Sequence, residues 1–302
     1  CGATVLIALG APCWGQLCSP FWSSTPKPPG DPAIFGGPNV VFDDGAGPKL
    51  YSTWVDFTHG TVGGLARWTG AGWQRLNQGL PPIQNMLDFR VLDDGAGRRL
   101  YWEGANPPLF ALWVWDGSSW NQTPSGFFSS SPLAQPLCSF NAGSGMAIYG
   151  FCSVGTVRYF GRWDGQQWNP ISPLFAYQSF VMKTLDLGDG PAIYMGGFAT
   201  LGALPDAHGI ARWDGHHFSP LGGGFQGTSS DVRAMVIFDD GTGPELYVGG
   251  DFNTPGGLPI AGLAKWNGQR WAAVPGHSNL AVRDLAVFDD GRGPALFVAG
   301  DF

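Results

Sequence analysis

Charge is scarce in this chain. Only 13% of its 302 residues are Asp, Glu, Lys or Arg, and 16 basic residues face 23 acidic ones, a formal net charge of −7. Such a background offers no basic footprint for nucleic acid or an anionic membrane. Uninterrupted helical stretches are missing too, because 48 Gly and 25 Pro punctuate the chain and disfavour a bundle or coiled coil. Beyond the first dozen residues no segment is long and apolar enough to span a bilayer. The five cysteines, Cys1, Cys13, Cys18, Cys138 and Cys152, have no zinc-site spacing and no His cluster beside them. There is no Gly-x-Ser-x-Gly elbow, phosphate loop or His-Glu-x-x-His helix.

What the chain has in excess is apolar and aromatic. Hydrophobic residues make up 44% and aromatics 14%, including 14 Trp and 21 Phe, which a disordered chain would not carry. Many short strands joined by tight turns accommodate both the aromatics and the Gly and Pro.

One motif recurs: Val41-Phe42-Asp43-Asp44-Gly45-Ala46-Gly47-Pro48, Leu92-Asp93-Asp94-Gly95-Ala96-Gly97, Phe238-Asp239-Asp240-Gly241-Thr242-Gly243-Pro244 and Phe288-Asp289-Asp290-Gly291-Arg292-Gly293-Pro294. Weaker copies lie at Phe140 to Gly145 and Leu185 to Pro191. The marker glycines 45, 95, 143, 188, 241 and 291 are 50, 48, 45, 53 and 50 residues apart, so six units are visible. A second motif keeps step: Trp68 with Trp73, Trp115 with Trp120, Trp163 with Trp168, Trp213 with Phe218 and Trp266 with Trp271, five positions apart around a Gly.

The fifth unit shows the physics. Val232 to Phe238 reads as a first strand, and the Asp-Asp-Gly-Thr-Gly-Pro turn hands over to a second strand through Leu246-Tyr247-Val248 to Gly249-Gly250. A Gly/Pro-rich loop leads to a third strand ending at Trp266, and Asn267-Gly268 turns into a fourth strand at Trp271. The two aromatics can pair across that hairpin. A lone four-stranded sheet of this size has two apolar faces and must bury them against copies of itself, which a radial stack achieves. The expected fold is therefore all-β: a β-propeller of about six four-stranded blades, seven if the chain is truncated.

The order of Tyr-x-Gly-Gly strand, Arg-Trp strand and second Trp, as in Tyr247-Val248-Gly249-Gly250 and Tyr194-Met195-Gly196-Gly197 followed by Arg212-Trp213, resembles the kelch-type repeat. It is also similar to the propeller domain of galactose-oxidase-like proteins and to tandem repeats of secreted bacterial proteins. The resemblance covers residues 20–302 and implies a propeller, with enzymes, protein-binding platforms and glycan binders all among its hosts. The pattern departs at Phe151-Cys152, at Glu103-Gly104 and at Ser52-Thr53-Trp54-Val55. An oxidase of that class needs Tyr, Cys and His around copper, whereas the Tyr here fill repeated strand positions and the five His are scattered. Trp115-Asp116-Gly117-Ser118-Ser119-Trp120 is partly similar to a sialidase Asp-box but lacks its spacer. A carbohydrate-active oxidase or glycosidase is thus the minor alternative.

Residues 1–19 read either as a signal-peptide remnant, with Thr4 to Ala11 as its apolar stretch, or as a segment that closes the ring. Residues 20–302 read as one domain. Cys138 and Cys152 either form a cross-strand disulfide or stay as two buried thiols. The Asp-Asp-Gly turns are expected to be Asp-capped turns rather than calcium loops, which usually carry three or more carboxylates. The Arg67, Arg162, Arg212 and Lys265 series suits salt bridges to the next blade or stacking on Trp.

The expected contact surface is the rim of loops after the second strand, with Trp54, Asp56, His59, Glu103, Asn106, Asp251, Asn253 and Asp301 as candidates. Aromatics there favour a glycan, and an acidic rim favours a protein or a cation such as calcium. No other cofactor is expected. The reading is a secreted or envelope-associated, monomeric, non-catalytic recognition module for an extracellular protein or glycan, with a purely structural repeat as its rival.

Overall fold

A computed structural model describes residues 7–9, 33–56, 61–76, 85–106, 109–123, 137–154, 157–174, 178–198, 207–225, 230–253, 255–275, 281–289 and 291–301. A short strand, β1 (Ile7–Leu9), precedes blade one, which comprises β2 (Ala33–Asp43), β3 (Pro48–Asp56), β4 (Thr61–Trp68) and β5 (Trp73–Arg75). Blade two is β6 (Asn85–Asp93), β7 (Arg98–Asn106), β8 (Leu109–Trp115) and β9 (Trp120–Gln122). Blade three is β10 (Cys138–Asn141), β11 (Met146–Val154), β12 (Val157–Trp163) and β13 (Trp168–Leu174). Blade four is β14 (Gln178–Asp186), β15 (Pro191–Phe198), β16 (Ile210–Trp213) and β17 (Phe218–Pro220). Blade five is β18 (Ser230–Asp239), β19 (Pro244–Asn253), β20 (Ala261–Trp266) and β21 (Trp271–Ala273), and β22 (Val282–Asp289) and β23 (Pro294–Gly300) open blade six.

The first five sheets pair antiparallel in chain order. In the sixth, β1 takes the third-strand place, with Ile7 opposite Val298 and Leu9 opposite Leu296. First strands of consecutive blades touch: β2 with β6, β6 with β10, β10 with β14, β14 with β18 and β18 with β22. They line the axis of a six-bladed β-propeller.

Local chemistry sets the turns. In blade five Asp239 Oδ1 accepts hydrogen bonds from the Gly241 and Gly243 amides at 2.8 and 3.0 Å, and Gly241 sits at φ +98°, where a side chain would be strained. Asp43, Asp93, Asn141, Asp186 and Asp289 do the same in the other blades. At the third-to-fourth-strand hairpins, Trp68–Trp73, Trp115–Trp120, Trp163–Trp168, Trp213–Phe218 and Trp266–Trp271 stand directly opposite in register. Their ring centroids are 5.4, 5.4, 5.8, 6.1 and 5.2 Å apart, contact worth roughly 0.5–1.5 kcal/mol per pair beyond burial.

The core lies between blades. The interface of blades four and five buries Tyr194 and Ile210 with Met235, Leu246, Val248 and Trp266, and separate clusters fill the four neighbouring interfaces. Outer-strand indoles tie blades further, as Trp120 Nε1 donates to Leu76 O at 2.9 Å and Trp271 Nε1 to Leu221 O at 3.1 Å. The Gly pair serves this packing: a Cβ on Gly249 would lie 2.4 Å from Val282 Cγ1 of the next blade, and one on Gly196 equally close to Val232 Cγ1.

The disulfide alternative is corrected. Cys138 is a buried free thiol, and its register partner across the ladder is Tyr149. Cys152 lies three residues further along β11, opposite Tyr159, too far along the strand for the Cα separation a disulfide needs.

Because Gly249 meets the next blade's side chain, Gly249→Val should lower unfolding free energy by about 1–3 kcal/mol through overpacking. Chemical denaturation would show this as a lower midpoint; an unchanged midpoint would mean that the blade five–six interface is not packed as described.

Candidate functional site

First and third strands run the same way in each blade, so first–second turns and third–fourth hairpins share one face of the ring. Second–third and fourth–first loops share the other.

The turn face uses up its polar groups internally. Asp44, the second acid of its turn, accepts from Lys49 Nζ at 3.1 Å and from the Tyr51 hydroxyl at 3.1 Å, and pairs with Arg67 of β4. Blade five repeats this with Tyr247 and Lys265 on Asp240 at 2.9 and 2.7 Å, and Lys265 also meets Glu245 at 2.5 Å. In blade two Val114 stands where the third-strand cation would be, and Arg99 of the second strand reaches Asp94 instead, with Tyr101 donating at 2.7 Å. Blade four has Leu187 in place of the second acid, and Asp189, two positions on, holds Arg212 at 2.9 Å. Arg162 meets the Tyr149 phenol, and its turn carries no carboxylate. Arg67, Arg212 and Lys265 therefore bind their own blade's turn and Arg162 the Tyr149 phenol of its own blade, which corrects the expectation of bridges to the next blade; the partners are local because Arg67 and Tyr51 are directly opposed in register.

Partial burial opposes ionisation of Asp44, but hydrogen bonds from Lys49, Tyr51 and the Ala46 amide, with the Arg67 charge, outweigh it and pull its carboxyl from 3.8 to about 2. Lys265 and the Thr242 hydroxyl hold Asp240 well below the usual carboxylate range. Burial pushes the phenols of Tyr51, Tyr101 and Tyr247 up to about 12, so each stays a protonated donor.

The loop face has the polar groups that the turns do not consume. Asp251 and Asn253 are exposed on β19, and Asp301 is exposed just after β23. Asp301 is gripped by Arg283 through a two-pronged pair, Nε to Oδ1 and Nη2 to Oδ2, both 2.7 Å. The Arg283 hydrogen bonds hold Asp301 below the usual range, and Asp251 adds to the field on the same guanidinium. On blade five Arg233 Nη2 lies 3.4 Å from Asp231, which faces Asp251 across the ladder, and Arg233 also acts on Asp301. Described residues of blades five and six thus present a mixed-charge row at the mouth of the central channel.

Glu103 is 3% exposed within β7, inside the blade rather than on the rim. Trp54, Asp56 and Asn106 hold strand positions opposite Phe35, Ala33 and Leu109, with side chains outside the described residues, as is all of His59. Asp301 pairs with Arg283, and Asp251 acts on the same guanidinium. Among the described residues no three His, Cys, Asp or Glu side chains gather as a metal site. The aromatic after Asp251 turns inward: Phe252 is 1% exposed and stacks on Phe225 at 4.3 Å.

Arg233 and Arg283 escaped the sequence reading. Each stands at a bulge, between Val232 and Ala234 and between Val282 and Asp284, which turns the extra residue out of the apolar alternation. The available signal was their common place, six positions before Asp239 and Asp289.

No protein-family model matches the chain, and no curated protein matches it. Solved propellers do resemble it. One is the SapL1 lectin in complex with alpha methyl fucoside, at 13% identity, covering 88% of this chain and 89% of that one with a TM-score of 0.43. Another is a mutant Aleuria aurantia lectin in complex with alpha-methyl-L-fucoside, at 15% identity, 87% and 94% coverage and a TM-score of 0.43. A mercury derivative of the fucose-specific lectin from Aleuria aurantia gives 14% identity, 87% and 95% coverage and 0.41. The kelch resemblance rests on the repeat motifs alone.

Stability carried by the Asp44 and Asp240 carboxylates is present above the ordinary carboxylate range and drains away as pH falls toward about 2. Asp44→Asn should cost about 1–3 kcal/mol at neutral pH and flatten that acid limb. Urea titrations between pH 6 and about 2.5 check both; a variant with an unchanged acid limb would mean the latch does not carry the dependence.

Proposed function

We propose that the protein is a non-catalytic glycan-recognition module, working outside the cytoplasm, whose contact surface is the loop face of blades five and six. The observation carrying this reading is the row Arg233, Asp251, Arg283 and Asp301, with Asn253 beside it. Sugar hydroxyls both donate and accept, so they are met best by planar acids, amides and guanidinium groups at fixed spacing. Arg283 and Asp301 supply two such groups pre-oriented by their own pair, which lowers the ordering cost of binding. Their carriers are strand ends of a rigid sheet rather than free loops.

A purely structural repeat would have little use for a bidentate pair turned to solvent on one face, since exposed ion pairs of this kind add little stability.

A glycan array with the intact chain should show saturable binding to a restricted set of sugars. Arg283→Ala and Asp301→Ala should each weaken it about tenfold or more while leaving the melting temperature nearly unchanged. Turnover of a bound sugar, or equal binding by both variants, would sink the proposal.

A further inference from the structure

The loop-face row is one arrangement written twice, on two neighbouring blades. Arg233 stands six positions before Asp239 and Arg283 six before Asp289, each at the bulge of its first strand. Asp251 stands four positions after Tyr247 and Asp301 four after Phe297, each directly after a second-strand glycine. The arginine's place is taken by Gly37, Leu87, Gln135 and Phe180 in blades one to four. An arginine at this bulge is therefore confined to blades five and six, whose first strands, β18 and β22, touch.

The two copies differ in how they are held. In blade six Arg283 grips Asp301 through Nε and Nη2, both at 2.7 Å, and the Asp301 amide donates to Ala281 O at 3.0 Å. In blade five Arg233 Nη2 lies 3.4 Å from Asp231, and Asp231 stands directly opposite Asp251. Phe252, buried and stacked on Phe225 at 4.3 Å, anchors the strand between Asp251 and Asn253. The fields of the two copies overlap, since Arg233 acts on Asp301 and Asp251 on Arg283.

We propose that the row holds a linear, uncharged oligosaccharide in two subsites, one on each blade, an inference that rests on the loop-face reading above. Packed sheets stand about 10 Å apart, more than one pyranose ring covers and within reach of a short oligosaccharide. Each subsite pairs a guanidinium with a carboxylate and so offers both donors and acceptors to sugar hydroxyls. Once one sugar is seated, the contact of the next is intramolecular and raises affinity without a second cost of association. The row stops at these two blades, so sugars beyond the second subsite meet no further arginine. Both arginines are already engaged by acids, and Asp231, Asp251 and Asp301 outnumber them, so a carboxylate or sulfate on the sugar meets a net negative surface.

The test is calorimetric titration of the intact chain with linear oligomers of glucose, mannose and N-acetylglucosamine, from the single sugar to the hexasaccharide, and with oligogalacturonates as the acidic series. In at least one neutral series affinity should rise about tenfold or more from the single sugar to the trisaccharide, and less than about twofold beyond it. The acidic series should not bind. Arg233→Ala should lower trisaccharide affinity about tenfold and erase the dependence on length. If that variant does not fold, Asp251→Asn, at an exposed position, serves in its place with the same expectation. Affinity independent of length, a rise that continues to the hexasaccharide, tighter binding of the acidic series, or a native length dependence in the variant would overturn the two-subsite inference and leave the loop-face reading standing. No isotherm with any neutral series overturns the inference as well, and the glycan array then decides whether the loop-face reading falls with it.

Discussion

Burial between blades is the constraint on which the rest of the structure depends. Each sheet is apolar on both faces and too small to keep a core of its own, so every blade is stable only because its neighbours cover it. The side chains that do this sit at fixed repeat positions, and large residues on one sheet demand small ones opposite. Val232 and Val282 enter where Gly196 and Gly249 have no Cβ, so the glycines are one half of a contact whose other half is an inner-strand valine. Where the pair is absent, Glu103 and Phe151 fill the position and are themselves buried.

Within a blade a second device works at right angles to this packing. The second turn acid draws together the turn, the Tyr of the second strand and a cation on the second or third. Its parts can move without loss of the whole. Leu187 removes the acid from its usual place and Asp189 supplies it two residues later, while Val114 removes the third-strand cation and Arg99 supplies it from the adjoining strand. What is kept in blades one, two, four and five is a carboxylate–cation contact beside the second-strand phenol, not a residue at a position.

Much of this was legible because repeats average out noise. The six turn motifs located the strand ends, and the aromatic spacing located the outer hairpins, whose pairs stand in register. Features outside that reading share one cause: they depend on which strand lies opposite which. Cys138 and Cys152 looked like partners until the register put Tyr149 opposite Cys138. Arg233 and Arg283 were hidden by bulges that break the alternation. The place of a candidate rim after the second strand could be proposed from the repeat. Its chemistry could not, since acids read singly gave no hint of the arginines that answer them.

The pairing of β1 with β23 has a bearing on how the protein is made. Ile7, Ala8 and Leu9 lie far ahead in the chain of their partners, Leu296 to Val298. Each of the first five blades can form from a contiguous stretch of nascent chain, but this pairing must wait until both distant stretches have been made. Until then an apolar strand edge stays unpaired, a state exposed to association with other nascent chains. The hydrogen bonds between β1 and β23 would therefore cover, late in synthesis, an edge that no neighbouring stretch of chain can cover.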